Sequence, residues 1–455
     1  MHVLKKLALP LLCLTAAACT SQPDLPPATT SAFNAGTVNQ RISEYFRPLE
    51  QTADFSGTIR IEQGGRLVSQ QSFGFADVGT GRVHTETTLY SAASVTKGVL
   101  AATLVMLEDN GALSLDESVP AFLPVLSGHL DVTIEDVLLH TAGLPRDFPT
   151  GVSPYDQPDG VAGWLSRSPD LISDPGEHSY SNVGYALLAE VVTAATGEPF
   201  AAVAKALVLH PNGMDHSFIS QDIAGAFSEG AQPYTAGPAP SGMMAPMPAG
   251  LETGSSGLIT TAADLSTWVR TLAEGKYPRL FAGDDPLGSI HKGEDAGGPF
   301  VSVQGTLPGY AAGAIAWPDE DLTISYVCNL FDYPVIGLNE VLRRIAFDEM
   351  PQLPAQRPAD VPLDASHMAL VGDYQHPGFG RIRLAHDPDR GGLFLRLLDR
   401  EAYWNFYLTP IADGALHWRA FNTIFTADGE GGLNARQTLQ SQERTVQLPS
   451  IASED

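Results

Sequence analysis

Basic residues are scarce in this 455-residue sequence, which contains 26 lysines and arginines against 52 aspartates and glutamates. The resulting net charge of −26 at pH 7 argues against electrostatic binding to nucleic acid or to an anionic membrane surface. We interpret the acidic excess as a source of solubility, since net charge carries no information about the fold.

Apolar runs are also short. The N-terminal run, residues 7–18, is below the roughly 20 residues that a membrane-spanning helix needs. It follows the basic pair Lys5-Lys6, and a basic region before a short apolar run is typical of an export signal. The run ends in Leu14-Thr15-Ala16-Ala17-Ala18-Cys19, which resembles a bacterial lipobox.

We therefore expect residues 1–19 to be a lipoprotein signal peptide and Cys19 to carry the lipid. The protein would then be exported and lipid-anchored at the bacterial cell envelope, in the outer membrane or periplasm, with no other membrane contact. Because Ala16 stands where a lipobox usually has leucine, cleavage by the ordinary signal peptidase is the alternative.

Cysteine is equally rare, with three in the chain. Cys13 would leave with the signal and Cys19 would be lipidated, so Cys328 alone remains and no disulfide framework is available. Cys328 ends an apolar, strand-like run, and we interpret it as a core residue rather than a second nucleophile. The sequence has no clustered cysteine ligands and no His-Glu-x-x-His pattern, so it predicts no metal site and no cofactor.

The length suggests roughly two to three domains. The Pro-, Thr- and Ser-rich residues 20–37 are typical of a flexible tether. Residues 38–348 have a helix and a hairpin first, helices in the middle, and strands and a helix last. That order predicts one discontinuous sheet domain with a helical insert. Prolines mark a linker over residues 349–366, and alternating segments predict a small all-β domain over residues 367–455.

One serine opens an apolar helical run and is followed by a lysine one turn later. Val95, Val99, Leu100, Leu104 and Leu107 recur at helical spacing, so Ser94 and Lys97 are expected on one face near a helix N-terminus. A buried lysine can take the proton of a serine or assist another base, which would make Ser94 a nucleophile. The bare pattern is weak, because Ser289 and Lys292 share it with no helix after them.

Two further residues are candidates for proton transfer. Tyr180 stands just before a helix that continues to Gly197, and a phenolate stabilised by a nearby ammonium could accept a proton from serine. Packing at a turn is the alternative role of Tyr180. His140 lies at the end of a helix that starts with the capping box Thr133 to Asp136, so we expect it to cap helix carbonyls rather than to act as a base.

Three stretches, in this order, resemble the serine β-lactamase and penicillin-binding-protein superfamily. They are Ser94-Val95-Thr96-Lys97, Tyr180-Ser181-Asn182 and Val303-Gln304-Gly305. The resemblance covers roughly residues 38–348 and is greatest for the class C β-lactamase-like branch, which includes DD-carboxypeptidases, D-aminopeptidases and family VIII esterases. It implies a β-lactamase/transpeptidase-like α/β (α+β) fold, with an antiparallel sheet flanked by helices and an all-helical subdomain. The C-terminal domain more weakly resembles lipocalin-like barrels.

The resemblance also implies a mechanism. Ser94 would attack a carbonyl to form an acyl-enzyme, while Lys97 and Tyr180 shuttle the proton. Asn182 would bind Lys97 or the substrate amide, with Gln304 and Gly305 along the substrate. The backbone N–H groups of Ser94 and of Thr306, on an edge strand, would form the oxyanion hole.

The sequence departs from this family at Val303, where a lysine or histidine is usual. Valine can neither orient a substrate by hydrogen bonding nor bind its carboxylate, and β-lactams and D-Ala-D-Ala peptides both carry one. We therefore expect a serine hydrolase acting on a small neutral ester, amide or peptide-like substrate, or one whose charge is met elsewhere. The alternatives are a β-lactamase or DD-carboxypeptidase, and a non-catalytic envelope binding or sensor protein that keeps the fold. The sequence leaves the oligomeric state open.

Overall fold

The computed structural model describes the chain from Asn34 onward, with internal gaps. The described residues are 34–149, 152, 159–220, 230–238, 243–245, 254–331, 337–347, 349–353, 356–400, 404–439 and 442–452. The expected signal peptide and Cys19 lie outside them and stay predictions. The first helix begins at Ala35, within the stretch whose composition predicts a tether.

The described chain contains twenty strands. In chain order, β1 to β20 are Gly57–Gln63, Arg66–Phe73, Tyr90–Ser91, Phe218–Ile219, Tyr234–Ala236, Met243–Met244, Leu258–Thr260, His291–Asp295, Gly298–Leu307, Tyr310–Trp317, Leu322–Cys328, Leu330–Phe331, Gly372–His376, Gly380–Asp387, Gly392–Leu397, Asn405–Ile411, Ala415–Trp418, Thr423–Ala427, Leu433–Leu439 and Gln442–Leu448.

The α-helices are fewer and cluster between β3 and β8. In chain order, α1 to α10 are Ala35–Gln51, Thr96–Asp109, Val119–Phe122, Ile134–Leu138, Gly160–Ser166, Asn182–Thr196, Phe200–Ala204, Ala262–Ala273, Leu338–Ala346 and Ala365–Met368. No single helix in the described part of the chain is long and apolar enough to cross a membrane. Together, α6 and the segment Phe200–Asn212, bent by 80°, pass the same length and composition test.

The central sheet has the strand order β2-β1-β11-β10-β9-β8, and every neighbouring pair is antiparallel. Strand β1 therefore pairs with β11, more than 250 residues later in the chain, as in Gly57 opposite Cys328. Helix α8 packs on one face of the sheet, and α1 and α9 pack on the other. The sheet is thus discontinuous in sequence and covered by helices on both faces, as the sequence predicts.

The helical insert lies on the α8 side of the sheet. Helices α2 and α6 form its interior, because nearly all their apolar residues are buried in one cluster that includes Val99, Leu104, Val183 and Leu187. The predicted capping box at the start of α4 is present, since Thr133 and Asp136 satisfy each other's backbone N–H groups. This insert supplies the residues that the sequence singles out around Ser94 and Tyr180.

The C-terminal strands β13 to β20 form one eight-stranded antiparallel sheet. Its ends approach each other, because Tyr374 bridges Ser450 and the Gln375 N–H donates to the Pro449 carbonyl at 3.1 Å. The sheet is therefore nearly closed and barrel-like, and the predicted fold class is confirmed for both parts of the chain.

The barrel packs directly on the central domain. The Phe331 ring lies 6.1 Å from the Phe406 ring and 6.2 Å from the Phe421 ring. The buried Arg419 donates to the Asp54 carboxylate at 2.9 Å. One apolar cluster runs from α1 through the central sheet into the barrel, so the two parts share a core.

The reactivity of the Cys328 thiol offers a test of this packing. Cys328 is fully buried on β11, and burial raises the pKa of its thiol. In protein without the signal segment, we expect this thiol to resist an aromatic disulfide reagent until the chain unfolds. Cys328→Ser should lower the free energy of unfolding by about 1–3 kcal/mol, because its hydroxyl is buried in an apolar site.

Urea denaturation and thiol titration check both expectations. Cys328→Ala is the matched control, since it leaves a small cavity but buries no hydroxyl. Rapid labelling of the native thiol would show that Cys328 is not a core residue.

Candidate active site

Ser94 lies in a tight turn between β3 and α2. It precedes the first residue of α2, Thr96, by two positions, and the Lys97 N–H already donates to the Ser94 carbonyl at 3.0 Å. The preceding residue, Ala93, has φ +47°, which residues other than glycine rarely adopt. The Thr96 hydroxyl fixes the turn by donating to the Ala93 carbonyl and accepting the Leu258 N–H. The turn therefore presents Ser94, which is half-buried, at the edge of the insert.

Lys97 is completely buried, and oxygen atoms surround its ammonium. Nζ donates to Ser94 Oγ at 3.3 Å, to Asn182 Oδ1 at 2.7 Å and to the Ser255 carbonyl at 3.0 Å. An ammonium has three protons and no lone pair, so these three acceptors match its full capacity. The lysine is held with one proton directed at the serine oxygen.

Tyr180 completes the group around Ser94. Its hydroxyl lies 2.9 Å from Ser94 Oγ, and the Lys97 ammonium lies 4.9 Å from the centre of its ring. Ser181 is the N-cap of α6: its hydroxyl accepts the Gly184 N–H at 2.8 Å and donates to the Pro145 carbonyl at 2.6 Å. This cap sets the start of α6, with Tyr180 just before it and Asn182 as its first residue.

His140 has a different role from the expected carbonyl cap. It lies just past the end of α4 with φ +61°, and its Nδ1 accepts the Ser181 N–H at 3.0 Å. Its carbonyl accepts the Ser179 N–H at 2.7 Å, so His140 binds the backbone on both sides of Tyr180. Burial, then the charge of Lys97, holds the His140 pKa well below its ordinary value of 6.5. We infer that the neutral ring positions Tyr180.

Strand β9 passes directly beside the Ser94 turn. A Cβ added at Gly305 would lie 2.3 Å from the Ala92 carbonyl oxygen and 2.6 Å from the Ser94 nitrogen, so only glycine fits there. Side chains alternate along a strand, so the buried Val303 shares the face of Gly305, and Gln304 and Thr306 face the other side.

Only the C-terminal part of β9 lies at the edge of the sheet. Strand β8 pairs with β9 only as far as Ser302, so among the described strands β9 is interior up to that point and is an edge strand from residue 303 onward. The expectation of an edge strand therefore holds for the stretch that carries Gly305 and Thr306. The Gln304 side chain accepts from Asn339 Nδ2 at 3.4 Å.

Several residues of the site carry no signal in the sequence. The Ser255 carbonyl binds Lys97, and the Asp147 carboxylate binds Asn182. Arg146 lies over the Tyr180 ring at 4.7 Å, and Arg400 of the barrel reaches Asp147. A backbone acceptor has no residue signature, and charged residues far apart in sequence give no pattern that would connect them.

The arrangement suits proton transfer at a serine. Ser94 Oγ has one phenol and one ammonium within hydrogen-bonding distance, and the backbone of β9 lies beside it. Among the described residues there is no group of three or more His, Cys, Asp or Glu side chains that could hold a metal ion.

A family profile described as "Beta-lactamase" matches residues 43–346, which is most of the described central domain. The chain belongs to the β-lactamase family. The serine β-lactamase superfamily inferred from the three motifs is thereby confirmed, and the family is one of serine hydrolases.

Curated relatives match part of the chain. The putative penicillin-binding protein PbpX of Bacillus subtilis (strain 168) is 27% identical over 188 residues, covering 39% of this chain and 44% of that protein. Esterase EstB of Burkholderia gladioli is 31% identical over 215 residues, covering 43% and 55%. The chain thus spans about half the length of these relatives.

The fold likeness extends further than the sequence likeness. The octameric penicillin-binding protein homologue from Pyrococcus abyssi superposes with a TM-score of 0.56 and 18% identity, covering 91% of this chain and 99% of that one. At this identity, the likeness concerns the fold alone. Coverage of 91% extends the fold likeness beyond residues 43–346.

The close approach at Gly305 gives a direct test. We expect Gly305→Ala to lower the rate at which Ser94 reacts as a nucleophile at least about tenfold, because the added methyl must displace backbone atoms of the nucleophile turn. This rate is measured as phosphonylation of Ser94 by a fluorophosphonate probe, followed by mass spectrometry. Gly283→Ala is the control, since the nearest atom to its new Cβ lies at 3.7 Å. Equal labelling of both variants would contradict the geometry at β9.

His140 gives a pH test. Its pKa is depressed in the fold, so the unfolded chain takes up the proton first, near the ordinary value of 6.5, and stability falls as the pH drops below that value. Between about pH 7.5 and pH 5, the wild type should lose up to about 2 kcal/mol more stability than His140→Asn. Asparagine tolerates the positive φ and does not titrate.

Urea denaturation at the two pH values measures the difference. Other buried histidines with lowered pKa values, such as His84 and His417, are present in both proteins and cancel. An identical pH dependence in the two proteins would mean that His140 does not titrate in this range.

Proposed function

We propose that the protein is a serine hydrolase that cleaves an ester or amide bond through an acyl-Ser94 intermediate. The observation that carries the proposal is the position of Ser94 Oγ, 2.9 Å from the Tyr180 hydroxyl and 3.3 Å from Lys97 Nζ. A nucleophile within hydrogen-bonding reach of its base is the arrangement that covalent catalysis requires. The family of the chain supports the same reaction class.

In the proposed acylation, the Tyr180–Lys97 pair starts with one proton fewer than a phenol plus an ammonium, and it takes the proton of Ser94 Oγ as that atom attacks the substrate carbonyl. The N–H groups of Ser94 and Thr306 stabilise the resulting oxyanion. Collapse of the tetrahedral intermediate breaks the bond to the leaving group, which receives the proton from the same pair. A water molecule, deprotonated by that pair, then attacks the acyl-enzyme and restores the Ser94 hydroxyl.

The environment of Val303 points to the class of substrate. Val303 is buried on the same face of β9 as Gly305, which lies beside the nucleophile turn. The side chain at position 303 therefore carries no charge and no hydrogen-bond donor. A substrate carboxylate would lose its water there without a partner, which is unfavourable. We infer a preference for neutral esters or amides over β-lactams, and the similarity to Esterase EstB is in keeping with this.

Val303 is also the observation that favours a second candidate. A binding or sensor protein would retain Ser94 while losing a side chain used in turnover. The hydrogen bonds of Lys97 to Ser94 and Asn182 argue against a protein that only binds its ligand, whereas a sensor acylated at Ser94 would need them as well, so turnover separates the two candidates. If residues 1–19 act as predicted, the enzyme works at the cell envelope.

Turnover of a substrate panel tests the proposal. The signal-less protein is assayed with p-nitrophenyl esters, D-amino acid p-nitroanilides and nitrocefin, beside Ser94→Ala and Val303→His. We expect ester hydrolysis to dominate and to fall at least about 1,000-fold in Ser94→Ala. Val303→His should shift the ranking toward nitrocefin, since it adds a hydrogen-bonding group to the site.

Two results would change the assignment. Faster hydrolysis of nitrocefin than of any ester by the wild type would contradict the role given to Val303. No turnover of any substrate, combined with stable labelling of Ser94 by a penicillin, would favour the sensor.

A further inference from the structure

Three charged side chains meet beside the groups that contact Ser94. Asp147 is at their centre, with its side chain only 5% exposed. Its Oδ2 accepts from Arg400 Nη1 at 2.8 Å and lies 3.5 Å from Arg146 Nε. The proposed mechanism uses none of the three. A nearly buried carboxylate is unfavourable unless its negative charge is compensated. The guanidinium groups of Arg146 and Arg400 compensate the charge of Asp147.

The second oxygen of Asp147 shows what the carboxylate does. Oδ1 accepts from Asn182 Nδ2 at 2.5 Å, and Asn182 Oδ1 accepts from Lys97 Nζ at 2.7 Å. A flipped amide would direct its NH₂ group at the ammonium and its oxygen at the carboxylate, and both contacts would be repulsive. Asp147 thus fixes the orientation in which Asn182 binds Lys97.

Arg400 comes from the barrel and not from the central domain. It follows β15, and its N–H donates to the Leu397 carbonyl at 3.3 Å. The flanking strands β15 and β16 are paired up to Arg396 opposite Asn405, and the Leu397 N–H donates to the Trp404 carbonyl. The side chain of Arg400 is 16% exposed. Backbone hydrogen bonds therefore fix the chain at Leu397 and Arg400, and the Arg400 guanidinium reaches the Asp147 carboxylate from there.

Arg146 cannot fully replace Arg400. Its contact with Asp147 is longer, and its guanidinium stacks over the Tyr180 ring at 4.7 Å. Arg400 makes the shorter, charge-assisted hydrogen bond. Of the two arginines, Arg400 is thus the main partner of the Asp147 carboxylate.

We propose that Arg400 is a positioning residue through which the C-terminal barrel supports the active site. It holds Asp147, Asp147 orients Asn182, and Asn182 holds Lys97 against Ser94. The barrel is then a working part of the hydrolase and not only a cover or spacer. This inference rests on the proposed function of Ser94, so its test includes a measurement that does not need turnover.

The test compares full-length, signal-less variants. Arg400→Ala should lower kcat for the best ester at least about tenfold and change KM by less than about twofold, because Arg400 acts on the reacting groups through others. It should also move the acidic limb of the kcat/KM profile to higher pH, since an unbalanced carboxylate favours positive charge in the site. Arg400→Lys keeps the charge and should recover part of kcat.

Arg436→Ala is the matched control. Arg436 is also an arginine of the barrel, pairs with Glu443 at 3.5 Å, and is 52% exposed. Its activity and pH profile should equal those of the wild type. Thermal unfolding of each variant distinguishes a loss of fold from a loss of positioning. If Arg400→Ala does not fold, Arg400→Lys supplies the variant whose activity and pH profile are compared with those of the wild type.

A double-mutant cycle with Asp147→Asn tests whether Arg400 acts through Asp147. If Arg400 acts through Asp147, adding Arg400→Ala to Asp147→Asn should lower kcat by less than about twofold. Unchanged kcat and pH profile in Arg400→Ala, or losses that multiply in the double variant, would overturn the proposal.

The rate of Ser94 labelling by a fluorophosphonate separates this inference from the proposed function. Slower labelling in Arg400→Ala than in the wild type would support positioning even if no panel substrate were turned over. Turnover that requires Ser94 but is indifferent to Arg400 in both rate and labelling would keep the hydrolase and reject the role of the barrel.

Discussion

The site depends on one buried ammonium. Burying a charge is costly unless its hydrogen-bonding capacity is met, and Lys97 is fully buried with three oxygen acceptors. The acceptors come from the nucleophile turn, from the first turn of α6 and from the segment before β7. Loss of any one leaves a proton of the ammonium without a partner. The position of these three segments is therefore fixed by electrostatics as well as by apolar packing.

The shared core explains how a distant turn of the barrel can contribute to this arrangement. Apolar residues of the central sheet, α1, α9 and the barrel form one cluster, and aromatic contacts such as Phe331 with Phe406 cross between the two parts. Close-packed interiors transmit small displacements because they contain little free volume. A side chain on the β15–β16 turn can therefore be held at a fixed distance from the insert.

Local signals in the sequence were informative. Helical periodicity and capping residues predicted the starts of α4 and α6, and the three motifs together identified the family. Ser289 and Lys292 show why one motif is insufficient: Ser289 has φ +56° and Lys292 lies on an exposed strand. The roles of the motif residues as catalytic or substrate-binding groups stay predictions.

Non-local features escaped the sequence analysis. His140 was expected to cap a helix, but its left-handed backbone turns the ring toward Ser181, and no periodicity encodes that rotation. Asp147 and Arg400 are 253 residues apart, so only the assembled structure shows that they meet. Sequence patterns report which face of an element is buried, and they do not report which elements face each other.

The pairing of β1 with β11 has a consequence for the growing chain. The hairpin of β1 and β2 is synthesised early, yet its inner edge finds its partner only after residues 322–328 have been made. Until then, the nascent polypeptide exposes unpaired backbone groups on a strand whose residues are largely buried in the folded protein, a state prone to association with other chains. Ordering of the sheet is therefore a late event in biogenesis, and a ribosome stalled within the helical insert would release a chain with that edge uncovered.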